Sequence, residues 1–70
     1  MTHLGVYLSN ISMSNGEISR RTGIWKSRLS DLRNKDSSNL KAEELYLISK
    51  VLDVDPKEIL EEIYGHLELK

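Results

Sequence analysis

Apolar residues recur along this chain at helical spacing, in five groups separated by polar or glycine-containing breaks. The first group places Leu4, Leu8 and Ile11 in an i, i+4, i+7 pattern, which predicts a helix that begins after Thr2 as its N-cap. The later groups show the same periodicity, and no internal repeat interrupts them. The pattern therefore predicts an all-α protein, a compact five-helix domain that occupies residues 1–70 as a single unit.

The segment 14–34 predicts two short helices joined by a tight turn, a helix-turn-helix formed by helices 2 and 3. Ser14 and Glu17 form an S-x-x-E capping box, which marks the start of helix 2. Gly23 follows that helix at a position that needs a left-handed residue, which glycine adopts without a Cβ penalty. The second helix of the pair opens with polar and basic side chains, and this suits a helix that lies in a DNA groove.

Helices 4 and 5 are predicted within about residues 40–64. Helix 4 carries Leu45, Ile48 and Leu52 on one face, with Ala42 continuing that face and Asn39 as a plausible N-cap.

Helix 5 has the clearest start in the chain. Asp55 is a good N-cap, Pro56 fits the first helical position, and Glu58 stands where a capping box would be completed. We expect this helix to end before Gly65, with three side chains facing inward. These are Ile59, Leu60 and Ile63.

Charge divides the chain into a basic half and an acidic half, although the net charge is only −1. Residues 1–35 hold six basic and two acidic side chains, for a net charge of +4, and residues 36–70 hold four basic and nine acidic ones, for −5. The positive charge thus surrounds the predicted helix-turn-helix, where it can neutralise phosphates. Two ordinary solvated faces are the alternative interpretation.

Several classes of function find no support in the sequence. The chain has no cysteine, no long apolar run and no signal peptide, which favours a cytoplasmic protein with no membrane contact. His3 and His66 lie near opposite termini without the spacing of a metal site, and no serine is coupled to a base and an acid. We therefore expect no enzymatic activity, no metal and no cofactor.

At the helix-turn-helix the sequence resembles the lambda-repressor-like family, in the branch of Cro-type repressors and XRE-like regulators. The resemblance continues through residues 40–60. One departure from the family pattern is Trp25, which stands where the family usually has a Ser or Thr cap. The matching positions are Asn15 (usually Gln in the family), Glu17, Ile18, Gly23, Ile24, Leu29, Leu32 and Asn34.

Base contacts are expected from the start of helix 3. Arg28 is the first candidate, because a guanidinium can donate to both O6 and N7 of guanine; contact with only phosphate or water is the alternative. Lys26 and Ser27 can reach base edges or phosphates. Asp31 can accept from cytosine N4, or it can orient Arg28 through an i, i+3 ion pair. Trp25 can lie on a sugar-phosphate or a thymine methyl, or pack against helix 2 or the loop after helix 3.

Phosphate contacts are expected from three further residues. Asn15 lies near the N-terminus of helix 2, where backbone N–H groups favour an anion, and the family makes such a contact at this position. Asn34 and Lys35 follow the recognition helix.

Helix 5 and the tail carry more apolar surface than one small domain is expected to bury. Ile63, Tyr64, Leu67 and Leu69 are therefore a predicted dimer interface, with a monomer that has an ordered tail as the alternative. Pairing also follows from mechanism, since two-fold symmetry places two recognition helices about 34 Å apart, one turn of DNA.

The sequence thus predicts a sequence-specific transcriptional regulator, in the simplest case a repressor that binds a pseudo-palindromic operator as a homodimer. The alternative is a protein-interaction module, such as an antitoxin or anti-repressor, that engages a protein partner through the acidic helices 4 and 5.

Overall fold

The computed structural model describes residues 1–70 and contains five α-helices and no strand. The predicted all-α, five-helix architecture is confirmed. None of these helices is both long enough and apolar enough to cross a membrane. The helices are α1 (His3–Ser9), α2 (Asn15–Thr22), α3 (Lys26–Asn34), α4 (Ala42–Leu52) and α5 (Pro56–Tyr64).

Local capping chemistry determines where most of these helices begin and end. The hydroxyls of Thr2 and Ser14 accept hydrogen bonds from the amides three residues on, at 2.9 and 3.2 Å. The Asp55 carboxylate accepts from the amide two residues on, at 2.9 Å, and Pro56 is the first residue of α5. Gly23 ends α2 in the left-handed conformation, with φ of 82°. These predicted caps are confirmed.

Three predicted cap contacts are wrong. The Glu17 carboxylate does not reach back to the Ser14 backbone N–H, because it accepts instead from Arg20 Nη2, at 2.8 and 2.7 Å. Helix α4 begins after Lys41 rather than at Asn39, and its cap comes from inside the helix, because the Glu44 carboxylate accepts the Lys41 backbone N–H at 2.9 Å. Glu58 does not reach back to the start of α5. Its carboxylate accepts instead from the Tyr7 hydroxyl on α1, at 2.6 Å.

One apolar core holds the five helices together. Helix α1 packs against α3 and α5, α2 packs against α3 and α4, and α4 packs against α5. Two predicted inward positions are wrong, since Ala42 is exposed at the start of α4 and Leu60 is 41% exposed on the outer side of α5. The core residues are Leu4, Leu8, Ile18, Ile24, Leu29, Leu32, Leu45, Ile48, Val51, Ile59 and Ile63.

The start of α1 is joined directly to the end of α3. The Thr2 backbone N–H donates to the Arg33 carbonyl at 2.7 Å. The single proton of the Thr2 hydroxyl is shared between the carbonyls of Leu32 and Arg33, which are 2.7 and 2.9 Å from Oγ1. These carbonyls belong to the last turn of α3, where backbone C=O groups have no hydrogen-bond donors within their own helix. Gly5 is buried at the same junction, and its backbone lies so close to α3 that an added Cβ would collide with the Arg33 carbonyl oxygen. Residue 2 therefore helps to fix the end of α3.

Candidate nucleic-acid interface

Helices α2 and α3 form the predicted helix-turn-helix, and α3 turns one polar face to solvent. Successive residues of a helix are about 100° apart, so Ser27, Ser30, Asp31 and Asn34 share the face opposite the two buried leucines of α3. Ser27, Ser30 and Asn34 are exposed, and Asp31 is half-exposed. Ser30 was absent from the predicted site, although its spacing of three from Ser27 could have indicated it.

Trp25 and Lys26 extend this face towards α2. Trp25 is 78% exposed and makes no side-chain cap at the start of α3, so the interpretation that it packs against α2 or the following loop is wrong. Lys26 lies over the first turn of α2, where a Cβ built on Gly16 would be 3.5 Å from Lys26 Cε and 3.7 Å from its Nζ. An aromatic ring and an ammonium group are therefore available at the junction of the two helices.

Arg28 faces α4 instead of the outward face. Its Nε donates to Glu44 Oε2 at 2.8 Å, and its Nη2 donates to Glu44 Oε1 at 2.9 Å and to the Asn39 carbonyl at 2.7 Å. Nε has one proton and Nη2 has two, so these bonds leave only Nη1 free. The predicted bidentate contact between Arg28 and guanine would therefore require part of this arrangement to break if it used Nε or Nη2.

The carboxylate that holds Arg28 is buried. Glu44 is 8% exposed, and the hydrogen bonds from Arg28 lower the pKa of its carboxyl more than burial raises it; the Lys41 N–H lowers it further. Glu44 is thus ionised at neutral pH, and it joins α3, the loop before α4 and the first turn of α4. Sequence analysis missed this role because Arg28 and Glu44 are 16 residues apart and no local pattern relates them.

Asp31 pairs with Lys35, one turn further along α3, at 3.3 Å. The alternative in which Asp31 orients Arg28 through an ion pair is wrong, because Arg28 pairs with Glu44. Asp31 therefore remains a possible acceptor for a base, and its partner Lys35 lies at the end of the recognition helix.

Asn15 and Asn34 differ in how much of their amide is available. Asn15 is the first residue of α2, and its Oδ1 is buried without a hydrogen-bond partner. The Nδ2 of Asn34 donates to the Ser30 carbonyl at 2.9 Å, which leaves one of its two protons.

The apolar residues predicted at a dimer interface do not all lie on the surface. Ile63 is only 8% exposed and belongs to the core, because it faces inward beside Ile59; its placement in an exposed interface is corrected. Tyr64, Leu67 and Leu69 are 40%, 65% and 102% exposed. These three side chains are exposed at the end of α5 and in the tail.

The tail leaves α5 through a turn that does not use a left-handed glycine. Gly65 has φ of −60°, in the right-handed region, and residues 67–70 have no regular structure. The His66 ring stacks on the His3 ring of α1, with 5.1 Å between the ring centroids. This contact places the tail beside the start of α1.

Two helices hinged at a left-handed glycine, with a polar face on the second, define a helix-turn-helix domain. A family model described as the Cro/C1-type HTH DNA-binding domain matches residues 3–63. The chain therefore belongs to the family of Cro/C1-type helix-turn-helix DNA-binding domains, as its resemblance to lambda-repressor-like proteins predicted. No curated protein and no solved structure gave a significant match.

Proposed function

We propose that this DNA-binding protein is a sequence-specific transcriptional repressor that binds a pseudo-palindromic operator as a homodimer in the cytoplasm. The observation that supports this most directly is the polar outward face of α3 within a Cro/C1-type domain. A repressor is the simplest regulator of this kind, since a domain that covers an operator can block polymerase without any further activity.

Base contacts are assigned to the outward face of α3 and its first residues. Ser27 and Ser30 can donate to or accept from any base, and the Trp25 ring can contact a thymine methyl. Asp31 can accept from cytosine N4 by leaving Lys35, and this would free the Lys35 ammonium for a phosphate. The proposed base contacts are Trp25, Lys26, Ser27, Ser30 and Asp31.

Phosphate contacts are assigned to both ends of the helix-turn-helix. At the start of α2, the Asn15 amide, exposed backbone N–H groups and the nearby Lys26 ammonium can hold one phosphate. Asn34 and Lys35 can hold another where α3 ends. These contacts carry no sequence information, but they fix the register of α3 in the groove.

Dimerisation is assigned to the apolar surface formed by Tyr64, Leu67 and Leu69. A second copy can cover this surface, and two copies can contact half-sites on one face of the duplex.

Selection of bound sequences from a random DNA pool tests this function. The purified protein is expected to enrich a two-fold symmetric motif that survives near-physiological salt, because specific contacts persist when phosphate attraction is screened. Enrichment of no sequence, or loss of all binding as salt rises, would contradict the proposal.

A protein-interaction module is the second candidate, and the exposed acid on α5 favours it. Glu61 and Glu62 are exposed and make no ion pair, and α5 packs against α1 and α4 instead of α3. An antitoxin or anti-repressor would use this surface to bind a basic protein. A stoichiometric basic partner, recovered with a protein that has no DNA affinity above background, would establish this candidate instead.

A further inference from the structure

We propose that Arg28 is a positioning residue that fixes the orientation of α3 and makes no base contact in the DNA complex. This inference rests on the proposed function, since it concerns how the recognition helix is presented to an operator. If Arg28 makes no base contact, the side chains that discriminate between sequences are those on the outward face of α3, which includes Ser27 and Ser30.

The location of Arg28 on α3 is the first support. Arg28 precedes the buried Leu32 by four residues, so both side chains lie on the same side of the helix. Arg28 is consequently at the edge of the buried face and next to α4, and only 31% of its side chain is exposed. A side chain at this edge lies about 100° around the helix from Ser27 and points towards α4.

The bonds of the guanidinium are the second support. Glu44 takes the Nε proton and one Nη2 proton in a bidentate pair, and the Asn39 carbonyl takes the other Nη2 proton. A guanine contact that used Nη2 would remove a hydrogen bond from either the buried Glu44 carboxylate or the Asn39 carbonyl. DNA binding would have to offset the loss of that bond.

The position of Glu44 in the first turn of α4 is the third support. Glu44 also accepts the Lys41 backbone N–H, and its neighbour Leu45 belongs to the core. A single carboxylate therefore holds the first turns of both α3 and α4. Loss of either Arg28 or Glu44 is expected to loosen α3 relative to α4 without removing any group that contacts a base.

Affinity measurements on one selected operator and its single-base-pair variants can test this role. The protein variants are Arg28→Ala and Glu44→Gln, with Glu43→Gln as the matched control, because Glu43 is an exposed neighbour that makes no ion pair. A positioning role predicts that both variants lose affinity for all sequences by a common factor, on the order of tenfold, with unchanged base preferences. Glu43→Gln is expected to bind like the wild type.

A base contact by Arg28 predicts a different result. Arg28→Ala would then lose discrimination at one base pair by about tenfold or more, whereas Glu44→Gln would keep or increase it by releasing the guanidinium. That outcome would overturn the inference and leave the proposed function intact. A wild-type protein that selects no sequence would instead remove the proposed function, and the inference with it.

Three further variants keep the test decisive if Arg28→Ala does not fold, as judged by circular dichroism. Arg28→Lys keeps the charge and loses the bidentate pair of hydrogen bonds. Its affinity for each operator variant, relative to the wild-type protein, is therefore expected to resemble that of Glu44→Gln. The reversed pair, Arg28→Glu with Glu44→Arg, is expected to recover affinity relative to Arg28→Glu alone. Recovery would support positioning, since a glutamate at position 28 cannot donate to guanine; no recovery, together with altered preference at one base pair, would contradict it.

Discussion

At the residue scale, a few polar side chains join helices that are distant in sequence. The Tyr7 hydroxyl on α1 donates to the Glu58 carboxylate on α5 at 2.6 Å. Burial, followed by this hydrogen bond and by the negative charges of Glu58 and Glu62, raises the pKa of Tyr7 to about 12. Tyr7 therefore stays protonated in the folded protein at a pH where it would ionise in the unfolded chain.

The raised pKa of Tyr7 predicts how stability changes at alkaline pH. Its contribution is complete below about pH 10, the ordinary pKa, and is lost as pH rises towards about 12, because the unfolded chain releases the proton first. Tyr7→Phe is expected to lower the free energy of unfolding at neutral pH by about 1 kcal/mol or less, given partial exposure. The free energy of unfolding of this variant should also decrease less than that of the wild type between about pH 10 and about pH 12. Denaturant titrations at several pH values measure both effects.

The matched control for this pH dependence is Tyr46→Phe. Tyr46 is 56% exposed on α4, and its hydroxyl makes no hydrogen bond. The control should keep the alkaline slope of the wild type, and an equal slope in Tyr7→Phe would refute the assignment.

At the scale of helices, the sequence predicted what is decided locally. The caps at Thr2, Ser14 and Asp55 depend on residues two or three positions away, and the left-handed turn at Gly23 depends on one residue. Contacts between residues distant in sequence were not predicted. The Glu58 carboxylate accepts from Tyr7, 51 residues away, and Arg28 donates to Glu44, 16 residues away, so no local pattern indicated either bond. The start of α4 is a local exception, since its cap comes from Glu44, three residues after Lys41.

Gly5 and Gly16 lie near the starts of α1 and α2, and the local sequence does not show which of them is closely packed. At Gly5 an added Cβ would collide with the Arg33 carbonyl oxygen on α3, whereas at Gly16 its nearest contact would be an ordinary 3.5 Å. We expect Gly5→Ala to destabilise the fold by about 1–3 kcal/mol through overpacking. Gly16→Ala should stabilise it by about 0.4–1 kcal/mol, because alanine reduces the entropy of the unfolded chain. Thermal or urea unfolding gives both values.

Each glycine variant serves as the control for the other. The same substitution is made near the start of α1 and of α2, so helix propensity favours both. They differ in the close approach of Arg33 and the flexible Met1 side chain to position 5. Equal shifts in the two proteins would show that this approach does not govern stability.

At the scale of the whole molecule, the basic excess and the exposed apolar tail lie in different halves of the chain. Basic side chains cluster in the half that contains α2 and α3, and the acidic excess lies in the half that contains α4 and α5. The exposed apolar residues at the end of α5 and in the tail belong to the acidic half. A dimer built there would keep both recognition helices free for DNA.

Removal of this apolar surface is expected to separate dimerisation from DNA contact. The double change Leu67→Ser and Leu69→Ser should weaken self-association in sedimentation, since both side chains are more than half exposed. Affinity for a full operator should fall by about tenfold or more, with little change for an isolated half-site, because the two sites would no longer be linked.

Tyr46→Ser provides the control, as it removes exposed apolar surface from α4 and not from the tail. Equal losses on the full operator and the half-site would show that the tail residues act on folding or on DNA contact, and not on pairing.

Trp25 has a consequence for how this protein can be observed. It is the only tryptophan in the chain and is 78% exposed in the folded state, so its indole is largely hydrated before unfolding begins. Its fluorescence should therefore change little when the fold is lost, yet respond when a duplex covers the start of α3. The protein thus contains a natural optical probe that distinguishes occupancy by DNA from loss of structure.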